Sequence, residues 1–164
     1  MIFAASKTIV QGPNGIRAWI KKGCGSRMQN GTYCVTVCVK DGHFLFGKVQ
    51  DGTMVLSENG EHVRRYVEMI ETIYPSVMLD DYVVMPNHLH ILLVMLDYKV
   101  NPSLQRVVGQ FKAAVTKQIG FSPWQDNSYI SAILTARRNR AVRRYIKENP
   151  AHWEKDKFYM TECE

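Results

Sequence analysis

Residues 77–96 read VMLDDYVVMPNHLHILLVML, two strand-length runs separated by Pro86-Asn87. In each run apolar residues occupy both odd and even positions, and successive side chains of a strand point to opposite faces. A strand patterned in this way has no face to give to water. Both runs are therefore expected as central strands, covered on both sides or paired deep in a sheet. Pro86 lacks an N–H and disfavours helical backbone at the residue before it, which puts a break between two strands. The rest of the chain must supply the covering layers.

It does so in a readable order. TYCVTVCVK is dense in β-branched and aromatic residues and ends at Asp41-Gly42, which predicts a strand closed by a turn. HFLFGKV and TMVL flank Asp51-Gly52, which predicts a short hairpin. From Ser57 onward, Val63, Tyr66, Val67, Ile70 and Ile73 recur at helical spacing, so a helix is expected to about residue 74. Ser103 is placed to cap a second helix whose buried stripe is Leu104, Val107, Val108, Phe111, Val115 and Ile119, with Arg106, Lys112 and Lys117 outside it. A loop with Pro123 and Trp124 then leads to the extended YISAIL, and RRNRAVRRYIKEN reads as a basic helix stopped by Pro150. This order predicts an α+β fold, a mainly antiparallel sheet with packed helices, close to a ferredoxin-like arrangement. Residues 1–30 show little periodicity and are expected to form an irregular basic arm, with one domain over 31–164.

Charge narrows the partner. Lys and Arg number 21 against 15 Asp and Glu, a formal charge of +6, which favours a polyanion and makes nucleic acid the first candidate. No apolar run approaches the roughly 18 to 20 residues of a membrane span, and the N-terminus lacks a secretion-signal pattern, so a cytoplasmic, nucleoid-associated protein without a membrane partner is expected. Cys24, Cys34, Cys38 and Cys163 form no CxxC pair, which fits reduced structural thiols.

His88 and His90 flank Leu89, so on a strand both rings share one face, about 6.5–7 Å apart, while Leu89 anchors the opposite face. Two neutral imidazoles at a strand's beginning can hold a divalent ion and leave positions open for a third ligand and a substrate oxygen. The alternative is that one histidine is a core residue with its hydrogen bonds satisfied and the other is partly exposed, and the residues alone leave both readings open. On the basic helix Tyr145 and Asn149 are four apart and share a face. A phenol beside a metal is a nucleophile for a phosphodiester, and Asn149 can supply a third ligand. Equally, Tyr145 can be an amphipathic packing residue and Asn149 a helix-end residue before Pro150. Arg137, Arg138, Arg140, Arg144 and Lys147 are candidate phosphate contacts on the same helix, or a solvated face.

MPNHLH after an apolar strand, then Trp124-Gln125, then YIKENP ending a basic helix, resembles the REP-associated tyrosine transposases, of the single-tyrosine HUH nucleases. The resemblance runs in order from about residue 30 to 153. It implies an enzyme that cuts and rejoins single-stranded DNA at or near hairpins, with magnesium or manganese on His88 and His90, Tyr145 as the nucleophile that becomes joined to the 5′ phosphate, and Asn149 as an additional ligand. It leaves monomer and homodimer both open. After Trp124-Gln125 the family carries an arginine and an aromatic, acidic and histidine-containing segment, where this chain has Asp126, Ser128, Ile130, Ser131 and Leu134. That departure motivates an alternative, a nucleic-acid-binding protein on the same scaffold that no longer cuts. A phosphoesterase without a covalent step is a third reading, and Tyr129 and Tyr159 are rival nucleophiles.

Overall fold

The computed structural model of the chain describes residues 7–11, 17–21, 30–96 and 103–159. Its strands are β1 (Lys7–Gln11), β2 (Arg17–Lys21), β3 (Gly31–Val39), β4 (Gly47–Gln50), β5 (Thr53–Leu56), β6 (Val77–Val84), β7 (His88–Met95) and β8 (Trp124–Ile133). Its helices are α1 (Glu58–Glu68), α2 (Ile70–Ile73), α3 (Leu104–Ile119) and α4 (Ala136–Glu148), and a 3-10 segment, Pro150–Lys155, follows α4.

The strands β1-β2-β8-β3-β7-β6 form one sheet in that order, and β4 pairs with β5 separately. Along β8-β3-β7-β6 every pairing is antiparallel. With α1 connecting towards β6 and α3 connecting β7 to β8, this is the ferredoxin-like β-α-β-β-α-β order, carrying the β4–β5 hairpin as an insertion. The expected α+β fold with a mainly antiparallel sheet is the one observed. The exception is β2, which pairs parallel with β8 at Arg17↔Tyr129 and Ala18↔Ile130.

Local chemistry explains the element ends. Ser57 Oγ accepts from the Gly60 N–H at 3.2 Å, Ser103 Oγ from Arg106 at 3.4 Å and Thr135 Oγ1 from Arg138 at 3.2 Å, each satisfying a donor that the first turn leaves free. In the β4–β5 turn Asp51 and Gly52 both have positive φ, 49° and 71°, the backbone that matches strand twist in two-residue hairpins.

Three expectations change. The run 77–84 is an edge strand among the described residues, because β6 pairs only with β7 in the sheet order, and Asp80 and Asp81 interrupt its register. A buried central strand has no place for two adjacent carboxylates; Asp80 instead pairs with Arg143 of α4. Trp124 begins β8 instead of lying in a loop, packed against Phe46 and Phe111 with its indole N–H donating to Lys112 O at 3.0 Å. Within the stretch expected to be an irregular arm, β1 and β2 pair antiparallel, an order that the residue pattern does not advertise, and residues 1–6, 12–16 and 22–29 of that stretch lie outside the described residues. Cys24 and Cys163 lie outside the described residues; Cys34 and Cys38 are free thiols on β3.

The sheet has two unlike faces. Val35, Val37, Leu89, Ile91 and Leu93 meet Val63 and Val67 of α1 and Val107, Phe111 and Val115 of α3 in the main core. On the opposite face a small cluster of Leu92, Ile133 and Ile146, with Val142 against it, seats α4. Among the described residues no helix is long and apolar enough to cross a membrane.

Candidate active site

His88 opens β7, and His90 follows on the same face, the two rings 4.8 Å apart between centroids. Strand alternation directs Leu89 and Ile91 into the main core, which fixes both histidines towards α4. Both are buried, 0% and 3% exposed, so bulk solvent reaches neither ring.

Each ring is oriented through Nδ1. Asn87 Oδ1 lies 2.9 Å from His88 Nδ1. The Asn87 amide nitrogen already donates to Gly42 O at 3.2 Å and Phe158 O at 2.8 Å, so its oxygen accepts and His88 Nδ1 carries the proton. The lone pair of His88 is thereby left on Nε2, a buried atom with no hydrogen-bond partner among the described residues. Thr36 Oγ1 of β3 holds His90 Nδ1 at 2.8 Å. Burial holds both imidazoles neutral: His90 is pushed down to about 4 and His88 to about 3, the second also by His90 beside it. Neutral imidazole is the ligand form.

The basic helix brings in the phenol. Ile146 turns into the sheet beside Leu92, and Tyr145, one position earlier, is set over His90, with ring centroids 5.1 Å apart. The Tyr145 hydroxyl is 3.3 Å from His90 Nε2 and donates to Asp156 Oδ2 at 2.8 Å. Asn149, one turn later, donates its amide to the same oxygen at 2.9 Å, and its own buried Oδ1 has no hydrogen-bond partner among the described residues. Burial pushes the Tyr145 phenol up, and its hydrogen bond to the Asp156 carboxylate pushes it further. Burial alone would raise Asp156 too, but the donated Phe158 N–H, Tyr145 hydroxyl and Asn149 amide hold it below the usual carboxylate range.

Asp156 is the residue that sequence reasoning missed. Ligand atoms of His88, His90 and Asp156 all lie within 4.8 Å of one another. Two neutral nitrogens, one of them His88 Nε2 with its lone pair unsatisfied, and a carboxylate oxygen make a donor set that fits a divalent cation. A lone aspartate in EKDKFY has no spacing to announce it; the 3-10 turn after Pro150 folds it back under Tyr145.

Among the expected site residues, His88, His90, Tyr145 and Asn149 are brought together. Arg137, Arg138, Arg140, Arg144 and Lys147 lie exposed along α4, and Arg138 reaches Ser131 Oγ of β8 at 3.5 Å. Of the rival tyrosines, Tyr159 packs its ring on Trp153 at 5.3 Å, and Tyr129 stands on β8 opposite Thr36, two strands from His90.

No family profile matches the chain. It is 31% identical to an uncharacterized protein of Haemophilus influenzae, the match covering 79% of this chain and 86% of that protein. Among solved structures it is similar to a REP-associated tyrosine transposase bound to a REP hairpin, with a TM-score of 0.63 and 18% identity over 82% of this chain and 74% of the other. It is also similar to a candidate transposase of Deinococcus radiodurans, with a TM-score of 0.50 and 17% identity over 78% and 96% of the two chains.

Proposed function

Because this chain belongs to one family with the Haemophilus influenzae protein and has the fold of the REP-associated tyrosine transposases, we propose that it is a metal-dependent single-strand DNA endonuclease and strand transferase acting at or near hairpins. The observation that carries this reading is the Tyr145 hydroxyl, 3.3 Å from His90 Nε2 and hydrogen-bonded to Asp156, within a cluster suited to a divalent ion.

His88, His90 and Asp156 are the ligands, with Asn149 Oδ1 as a further donor. Magnesium or manganese bound there would draw charge from the non-bridging oxygens of a phosphodiester. Asp156 accepts the phenol's hydrogen bond in the ground state, orients the oxygen and takes its proton as the attack proceeds, which balances the proton that the departing 3′ oxygen gains. The Tyr145 oxygen attacks phosphorus, the bond from phosphorus to the 3′ oxygen breaks, and that oxygen leaves with a proton as a free 3′ hydroxyl. The 5′ phosphate stays on the tyrosine as a phosphodiester, so attack by a 3′ hydroxyl reverses the step and reseals DNA without ATP. Thr36 and Asn87 act behind the ligands by fixing which ring nitrogen faces the site. Arg137, Arg138, Arg140, Arg144 and Lys147 present an exposed cationic face along the same helix for the DNA backbone.

The test is incubation with single-stranded hairpin DNA and manganese, followed by denaturing electrophoresis. Wild type should carry a covalent DNA adduct, and Tyr145→Phe and His88→Ala should both lose it. Cleavage that persists in Tyr145→Phe without an adduct moves the reading to a phosphoesterase. Hairpin binding with no cleavage by wild type moves it to a binding protein.

A further inference from the structure

Tyr129, on β8, is 41% exposed. Its backbone pairs with Thr36, and Thr36 pairs on its other side with His90. Opposite residues of antiparallel strands share a face, so Tyr129, Thr36 and His90 form one row across three strands. The Thr36 side chain reaches His90 Nδ1, which places the whole row on the active-site face. At about 4.8 Å between strands, Tyr129 stands about 10 Å from His90 along the row.

Two features flank it. On one side lie Ser131 and Arg138, the guanidinium 3.5 Å from the Ser131 hydroxyl. On the other, beyond Cys38, an open cleft of about 310 Å³ is lined by residues including Gln125, Asn87, Lys157 and Phe158. An exposed aromatic ring on the sheet face that carries the nucleophile, with Arg138 at the neighbouring Ser131 and Lys157 lining the cleft beyond, is a combination that binds unpaired bases, because every base has a π-face and every nucleotide a phosphate.

We propose that Tyr129 is a stacking platform for an unpaired base flanking the scissile phosphate, with Arg138 and Lys157 holding the phosphates on either side and the cleft taking the strand onward. The site would select for a single-stranded flank next to the hairpin. This deepens the nuclease reading and rests on it for the location of the cut. Tyr129 is here a binding residue and takes no part in the covalent step.

The test is fluorescence anisotropy of the full chain in EDTA, with a labelled hairpin carrying a single-stranded flank and with the same hairpin blunt. Wild type should prefer the flanked hairpin. Tyr129→Ala should weaken flanked binding about tenfold and leave blunt binding unchanged, whereas Tyr129→Phe, which keeps the ring, should bind both as wild type does. Equal loss on both hairpins, no loss on either, failure of the phenylalanine variant to restore binding, or no preference in wild type each overturns the proposal. Metal is absent, so failure of the covalent chemistry shows only in the adduct assay and not here.

Discussion

Strand β7 presents two buried faces that differ in kind. On one, Leu89, Ile91 and Leu93 are sealed against β3 and the helices α1 and α3 with nothing polar to satisfy. On the other, His88 and His90 are as well buried, yet His88 Nε2 has no hydrogen-bond partner among the described residues. Leaving a buried polar atom without a partner costs about 1–3 kcal/mol. The apolar face supplies stability, and the polar face, which holds the metal ligands in the proposed function, gives some of it up. Under the proposed function, alternation along one strand therefore separates stability from chemistry at a spacing of one residue.

The sharpest break of that comparison is Leu89→Ala. It should lower the unfolding free energy by about 2–5 kcal/mol, measured by urea denaturation, while folded protein keeps its metal affinity. An unchanged midpoint would mean that this face is not the stabilising one.

Acid should break the other face. His88 and His90 stay neutral in the folded chain to about pH 3 and about pH 4, but titrate near 6.5 when unfolded. Between those values the unfolded chain binds protons that the folded chain refuses, so stability is fully present above about pH 6.5 and falls as pH drops towards 4. Thermal midpoints of metal-free protein across this range check the sign; His88→Ala should flatten the slope, and an equally steep slope in that variant would contradict the assignment.

Thr36→Val tests orientation without touching a ligand. Loss of its bond to His90 Nδ1 should weaken manganese binding about tenfold by calorimetry, and unchanged affinity would show the ring to be positioned by packing alone. Smallest is Arg140→Ala on the exposed face of α4. It should leave stability unaltered and reduce the slope of log binding constant against log salt for hairpin DNA by about 0.9; an unchanged slope would remove Arg140 from the interface.

Much of this arrangement is legible in the sequence where a residue's meaning is periodic. His88 and His90 are read from a two-residue spacing, and Tyr145 and Asn149 from a four-residue spacing on a helix that Pro150 ends. Thr36 is not legible, because a threonine in a strand is ordinary and only the register β3↔β7 sets it beside His90. Asp156 is not legible either, since a non-periodic turn returns it to Tyr145. The edge position of β6 is marked in the sequence only by Asp80 and Asp81, set among apolar residues whose pattern by itself predicts a central strand. Periodicity reports local faces; register and chain reversal decide which faces meet.

The central claim is that Tyr145 is the group that takes the DNA. Protease digestion of a manganese-formed adduct, followed by mass spectrometry of the DNA-linked peptide, tests it directly. The account predicts a 5′-phosphate ester on Tyr145 and on no other residue, whereas DNA on Tyr129 or Tyr159 would contradict it.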